Sequence, residues 1–187
     1  MQLTVERTVL VLIDVQAKLT AVMQEQEALL KGLHKIVAGV QKLGIPVLWN
    51  EQNPERMGST VESLRDLLLP AEPIPKMSFG CCGSAPFMEA LRKTGRDQVL
   101  LAGIETHVCV FQTAVQLLDN GYHVQVVSDA VSSRTPLDRE IGLKRLEHAA
   151  SGRKSCLSPL TTAESALFEL MQSAQHPHFR DILKIIR

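Results

Sequence analysis

The run Thr8–Gln16, TVLVLIDVQ, constrains the fold more than any other segment. It is apolar and rich in β-branched residues, without alternation, and its apolar core ends on Asp14. A strand buried on one face alternates apolar and polar side chains, whereas a strand buried on both reads as an unbroken apolar run. The segment therefore predicts a central strand in a sheet covered on both faces. An aspartate closing such a strand faces the crevice where ligands of open sheets bind, and it must find a partner there.

The rest of the chain agrees with that architecture. Apolar residues from Ala28 to Leu43 recur at helical spacing, Gly44 supplies a stop, and IPVLWN opens a second strand. EQNPERMGSTVESL is polar and carries Pro54 and Gly58, which predicts a loop leading to a short helix after Ser59 or Thr60. PIPKMSF is a short strand with Lys76 near its end; Ser84 and Pro86 start a helix that Gly95 closes. DQVLLAGI is the next strand, and a helix bearing Cys109 follows it as far as DNGY. HVQVVSDA is a fifth strand, and Thr135 before Pro136 starts a helix running to about Ala150. KSCLSPL predicts a short sixth strand, Thr161 with Glu164 has capping-box form, and FRDILKII predicts a terminal helix. Strands alternating with helices predict one α/β domain over residues 1–187, a three-layer α/β/α Rossmann-like fold with a parallel sheet.

Composition narrows the function. Twenty basic residues balance twenty acidic ones, with no Lys/Arg cluster, which argues against nucleic acid as a partner. No stretch approaches the roughly 18 apolar residues of a membrane span, and the N-terminus lacks the form of a signal peptide, so no membrane association and a cytoplasmic location are expected. Cys81, Cys82, Cys109 and Cys156 lack the paired spacing of a zinc site and are expected to be reduced; the Cys81–Cys82 pair reads as two ordinary thiols. The six histidines, His107 among them, show no ligand spacing, and neither a GxGxxG nor a GxxxxGK[ST] loop occurs.

Three polar residues stand at the carboxyl edges of three different strands: Asp14, Lys76 and, on the turn after DQVLLAGI, Cys109. A thiol is mostly protonated at neutral pH, and a helix start together with a nearby ammonium favours its anion. A carboxylate beside it can take the thiol proton and return it to a leaving group. The same unpaired N–H groups can hold a developing oxyanion.

These residues resemble the isochorismatase-like cysteine hydrolases, a family that includes nicotinamidases and N-carbamoyl amide hydrolases. VLVLIDVQ, IPKMSFG and AGIETHVCVFQTA are similar to the family's aspartate, lysine and nucleophile segments, and VSDAVSSR and SPLTTAESALFEL extend the likeness over nearly the whole chain. NEQNPERMGSTVESL resembles the subgroup of isochorismatase domain-containing proteins of animals. The resemblance implies a six-stranded parallel sheet, a catalytic triad of Asp14, Lys76 and Cys109, and a cis peptide between Ile104 and Glu105. It further implies an oxyanion hole from the N–H groups of Glu105 and Cys109, a homo-oligomer (dimer or higher), and a small-molecule substrate cleaved at an amide or related C–N bond.

Two departures from the family pattern bear on the substrate. Nicotinamidases bind a metal near the end of the second strand through an Asp-x-His motif with further histidines. WNEQNPERMG has neither residue, so no metal and no cofactor is expected. Many relatives carry a phenylalanine shortly after the first-strand aspartate, where this chain has Leu19. Leu19, Trp49, Gln52 and Phe79 are the expected pocket residues, with Trp49 and Phe79 standing either at the crevice mouth or in the core. Two alternatives remain at this level: vinyl ether cleavage that does not need the thiol, and a non-catalytic binding protein on the same frame.

Overall fold

A computed structural model of the chain describes residues 2–151 and 158–187. Six strands form one sheet in the order β3-β2-β1-β4-β5-β6, and every pairing between them is parallel. They are β1 (Thr8–Ile13), β2 (Val47–Gln52), β3 (Ile74–Lys76), β4 (Gln98–Ile104), β5 (His123–Ser132) and β6 (Leu160–Thr161).

The unbroken apolar runs are buried on both faces, as parallel strands must be when crossover helices flank them. Val9, Val11 and Ile13 of β1 enter one apolar cluster, while Leu10 and Leu12 enter the other. The Leu10/Leu12 face is covered by α2 (Gln26–Lys42), α4 (Glu62–Leu68), α8 (Ala163–Met171) and α9 (Phe179–Ile186). The Val9/Val11/Ile13 face is covered by α5 (Ala85–Lys93), α6 (Phe111–Asp119) and α7 (Pro136–Ala150). Two four-residue helices, α1 (Ala17–Thr20) and α3 (Pro54–Met57), lie at the carboxyl edge of the sheet after β1 and β2. Among the described residues no helix is long and apolar enough to cross a membrane.

Local differences from expectation have physical causes. The polar stretch after β2 is not all loop, since Pro54 at the first helical position starts α3 before α4 begins at Glu62. The cap of α8 is Thr162, whose hydroxyl accepts from Ser165 N at 3.1 Å. The expected cap, Thr161, is instead the last residue of β6 and pairs with Val127, so the cap moves one position on. The expected sixth strand over KSCLSPL reaches β6 only at Leu160, and residues 154–157, Cys156 included, lie outside the described residues.

Candidate active site

Asp14 follows β1 with a positive φ of 53°, which turns its side chain out of the strand direction. Its N–H still continues the ladder, donating to Asn50 O at 3.1 Å. Beside it β4 runs so close that a Cβ on Gly103 would lie 2.1 Å from Ile13 O, and Gly103 itself has φ 119°. Only glycine meets both conditions. The strand end carrying the carboxylate is thus packed directly against the strand leading to the cysteine.

Lys76, at the end of β3, reaches across β2 to Asp14. Its Nζ lies 2.7 Å from Asp14 Oδ2, with the two side chains 0% and 1% exposed. It also donates to Gln52 Oε1 at 2.8 Å, Phe79 O at 2.9 Å and Ser78 O at 3.2 Å. Four acceptors thus surround an ammonium with three protons, so none remains for a further ligand. Asp14 Oδ2 is pinned to the lysine, while Oδ1 meets no donor in full hydrogen-bond geometry among the described residues. The Cys109 thiol and the Gln52 N–H approach the carboxylate closely enough to favour its charge.

Cys109 belongs to a five-residue π turn, Thr106–Val110, between β4 and α6. The peptide bond entering it, Ile104–Glu105, is cis. The Glu105 carbonyl accepts from Val108 N at 3.1 Å and Val110 N at 3.2 Å, with the cysteine between those two donors. Such turns replace one α-helical step and recur at functional sites. The Glu105 carboxylate accepts from Arg134 N and Nε at 3.2 and 3.0 Å. His107 Nδ1 lies 3.0 Å from Ser133 Oγ. The turn is therefore tied to the end of β5 on one side. On the other, Thr113 Oγ1 donates to Cys109 O at 2.6 Å and accepts from Cys81 N at 3.0 Å.

The electrostatics differ from the expected resting thiolate. Burial, reinforced by the Asp14 charge, pushes the Cys109 thiol well above its ordinary value, and the opposing pull of Lys76 does not offset it. Burial also raises the Asp14 carboxyl, against the lowering effect of Lys76. Cys81 is pushed up to about 12 and Cys82 to about 11, again by burial. A helix start and the Lys76 ammonium both favour the anion, but desolvation outweighs them in a residue only 7% exposed. The sulfur rests protonated, within hydrogen-bond reach of the buried Asp14 carboxylate.

A model of the isochorismatase domain matches residues 8–164. The chain belongs to that family. A secreted isochorismatase effector of Phytophthora sojae is 37% identical over 186 residues, covering 96% of this chain and 84% of the relative. Isochorismatase domain-containing protein 2A of Mus musculus is 35% identical, covering 97% and 84%. Isochorismatase domain-containing protein 1 of Danio rerio is 39% identical over 155 residues, and this chain spans about half of its length, 51%. Among solved structures, a MAR1 ribonuclease of Caenorhabditis elegans superposes with TM-score 0.88 at 33% identity, covering 100% of this chain and 92% of that one. The Escherichia coli YcaC product, described as an octameric hydrolase of unknown specificity, gives TM-score 0.86 at 20% identity, covering 98% and 95%, a likeness of fold. The six-stranded parallel sheet in three layers is thus the isochorismatase hydrolase fold.

Within this isochorismatase frame the four expected pocket residues divide. Gln52 is at the site, but its carboxamide is spent on Lys76 and, through Nε2, on Met77 O at 2.9 Å. Phe79 is 56% exposed on the loop whose carbonyls hold the lysine. Trp49 is 2% exposed in the apolar cluster of the other face, away from Cys109, and half-buried Leu19 packs against that same cluster. Strand alternation decides this: in β2, Leu48, Asn50 and Gln52 share the cysteine's face, and Trp49 cannot. The sequence reading missed Gln16, Thr113 and Asn50. Gln16 and Asn50 were within reach of it, through the spacing from Asp14 and the alternation of β2.

Proposed function

We propose that residues 1–187 act as a single hydrolase domain that cleaves a small amide or related carbon–nitrogen bond through a thioester on Cys109. The observation that carries this reading is the buried Lys76–Asp14 pair, in which Lys76 anchors the carboxylate through Oδ2 and the same carboxylate is within hydrogen-bond reach of the protonated Cys109 thiol. The sulfur attacks the substrate carbonyl as its proton passes to Asp14 Oδ1. Lys76 keeps Asp14 charged and oriented through Oδ2; it does not touch the sulfur's proton. The N–H groups of Glu105 and Cys109 receive the oxyanion. Asp14 then protonates the leaving nitrogen, the C–N bond breaks, and water hydrolyses the thioester with Asp14 as base.

The near-complete burial of all three side chains suits a small substrate. The C. elegans relative is described as a ribonuclease, but a chain with 20 basic and 20 acidic residues has no net attraction for a polyanion, and we favour a small molecule. A homo-oligomer and a cytoplasmic location belong to the same proposal. The octameric E. coli fold neighbour is in keeping with the first; the secreted relative of P. sojae makes fractionation the test of the second.

The deciding experiment measures ammonia release from a panel of small amides and ureides, with and without chelator. Cys109→Ala is expected to leave no more than a trace of the wild-type rate, and a variant that keeps its rate overturns the mechanism. A second reading, protonation and cleavage of a vinyl ether by Asp14, is favoured by one observation: burial raises the proton affinity of that carboxyl. Activity lost in Asp14→Asn but kept in Cys109→Ala selects it.

A further inference from the structure

Asn50 is 1% exposed, and neither Oδ1 nor Nδ2 of its carboxamide has a hydrogen-bond partner among the described residues. Buried polar groups in folded proteins are nearly always paired, so a carboxamide with both ends unmet calls for an explanation. Its position supplies one. Alternation along β2 puts Asn50 on the face of Leu48 and Gln52, the face packed against Cys81 and Cys109. Across the sheet it lies between Ile13 of β1 and Ile74 of β3, one pleat below the level where Gln52 pairs with Lys76. Its own carbonyl receives the Asp14 N–H. Asp14 Oδ1, beside the Cys109 thiol, likewise meets no donor in full hydrogen-bond geometry, so three such buried polar atoms belong to two residues adjacent across β1 and β2. Once the sulfur is acylated its proton no longer competes for that carboxylate.

The surroundings select a small ligand. Isoleucines flank Asn50 on both neighbouring strands, leaving no charged side chain at its level in either. A carboxamide offers donors and an acceptor, the carboxylate oxygen a second acceptor, and a water molecule needs two to four such partners. We propose that Asn50 and Asp14 Oδ1 together hold the water that hydrolyses the Cys109 thioester. The proposal rests on the acyl-enzyme reading above. In the step, the water oxygen attacks the acyl carbon as one of its protons passes to Asp14 Oδ1. The tetrahedral adduct then collapses, the C–S bond breaks, the proton passes from Asp14 to the sulfur, and the free acid leaves. Asn50 touches the reacting water in this second half-reaction and nothing in the first.

That separation makes the test. p-Nitrophenyl acetate is used as an acylating probe on the full chain. The burst of p-nitrophenol reports acylation, the steady rate reports hydrolysis, and intact mass reports acetyl on Cys109. Asn50→Leu is expected to keep a burst rate within about twofold of wild type while its steady rate falls at least about tenfold and the acetyl adduct accumulates. Hydroxylamine, a nucleophile that needs no held water, is expected to discharge the adduct equally fast in both proteins. Asn50→Ser, which keeps a polar group and a smaller side chain, is expected to lie between them and serves if Asn50→Leu does not fold. Burst and steady rates falling together, or a steady rate unchanged, overturn the proposal while the acyl-enzyme stands. Absence of any Cys109 adduct in the wild type overturns the acyl-enzyme reading and this proposal with it.

Discussion

The side chain of Gln16 pairs with the backbone of Gln52 in both directions, Oε1 accepting from the Gln52 N–H at 2.8 Å and Nε2 donating to its carbonyl at 3.0 Å. Nε2 also donates to Gly58 O at 2.6 Å, and Gln16 is fully buried. A side-chain amide thus extends the ladder at the end of β2 and fixes the residue whose own carboxamide holds Lys76. The expected result for Gln16→Leu is a loss of about 1–3 kcal/mol in urea unfolding, since it leaves the Gln52 N–H buried without its acceptor. Activity falls with it, because the lysine's support loosens.

The Lys76–Asp14 pair predicts a pH-dependent cost. Lys76→Met strips the partner from a buried carboxylate, and at neutral pH the loss is expected to be about 3–5 kcal/mol. The Asp14 carboxyl is already raised above its ordinary range in the folded chain, and removing the lysine raises it further. A carboxyl whose folded value exceeds its unfolded one binds more protons in the folded state between the two, so stability increases as pH falls through that window. The gap between variant and wild type therefore narrows towards acid pH. Thermal unfolding across pH checks this; a gap that widens on acidification refutes it.

Catalysis inherits the same direction. If Asp14 receives the thiol proton as proposed, it must be unprotonated, and the acid limb of kcat/KM is expected above the ordinary carboxylate range. Alkylation of Cys109 by iodoacetamide, followed by mass spectrometry in Asp14→Asn, keeps rising at pH values where an ordinary thiol has levelled off, because burial raises that thiol. A plateau near the free-thiol value contradicts the protonated resting state.

Gly103 provides a test that touches no polar group. In Gly103→Ala the new Cβ meets Ile13 O at 2.1 Å in a backbone conformation of φ 119°. Strain and overpacking together are expected to cost more than about 2 kcal/mol. Because β1 and β4 carry Asp14 and the Cys109 turn, activity falls along with the melting temperature. Circular dichroism and the ammonia assay read the two effects.

Much of the frame was legible in the chain. An apolar run without alternation needs cover on both faces, and strands alternating with amphipathic helices meet that need in a parallel sheet. A parallel sheet brings its carboxyl ends to one edge, which is why Asp14, Lys76 and Cys109 stand out as a group before any coordinates. The pocket wall was less legible. Trp49 differs from Asn50 by one position, and one position in a strand reverses the face. The short helix α3 was hidden in a polar segment whose proline reads equally as a turn.

Sequence alone determined the α/β class, the sheet edge where Asp14, Lys76 and Cys109 gather, and the residue types found there, because these follow from periodicity and strand polarity. Only the tertiary structure decided how those residues share their protons. Asp14 and Lys76 are 62 positions apart, and their contact at 2.7 Å depends on strand order and on side-chain directions that no local pattern specifies. The same holds for the division of labour between the two oxygens of Asp14, for the turning of Gln52 toward the lysine, and for the proton retained on Cys109. Desolvation is a property of everything packed around a group, and segments from across the chain supply that packing.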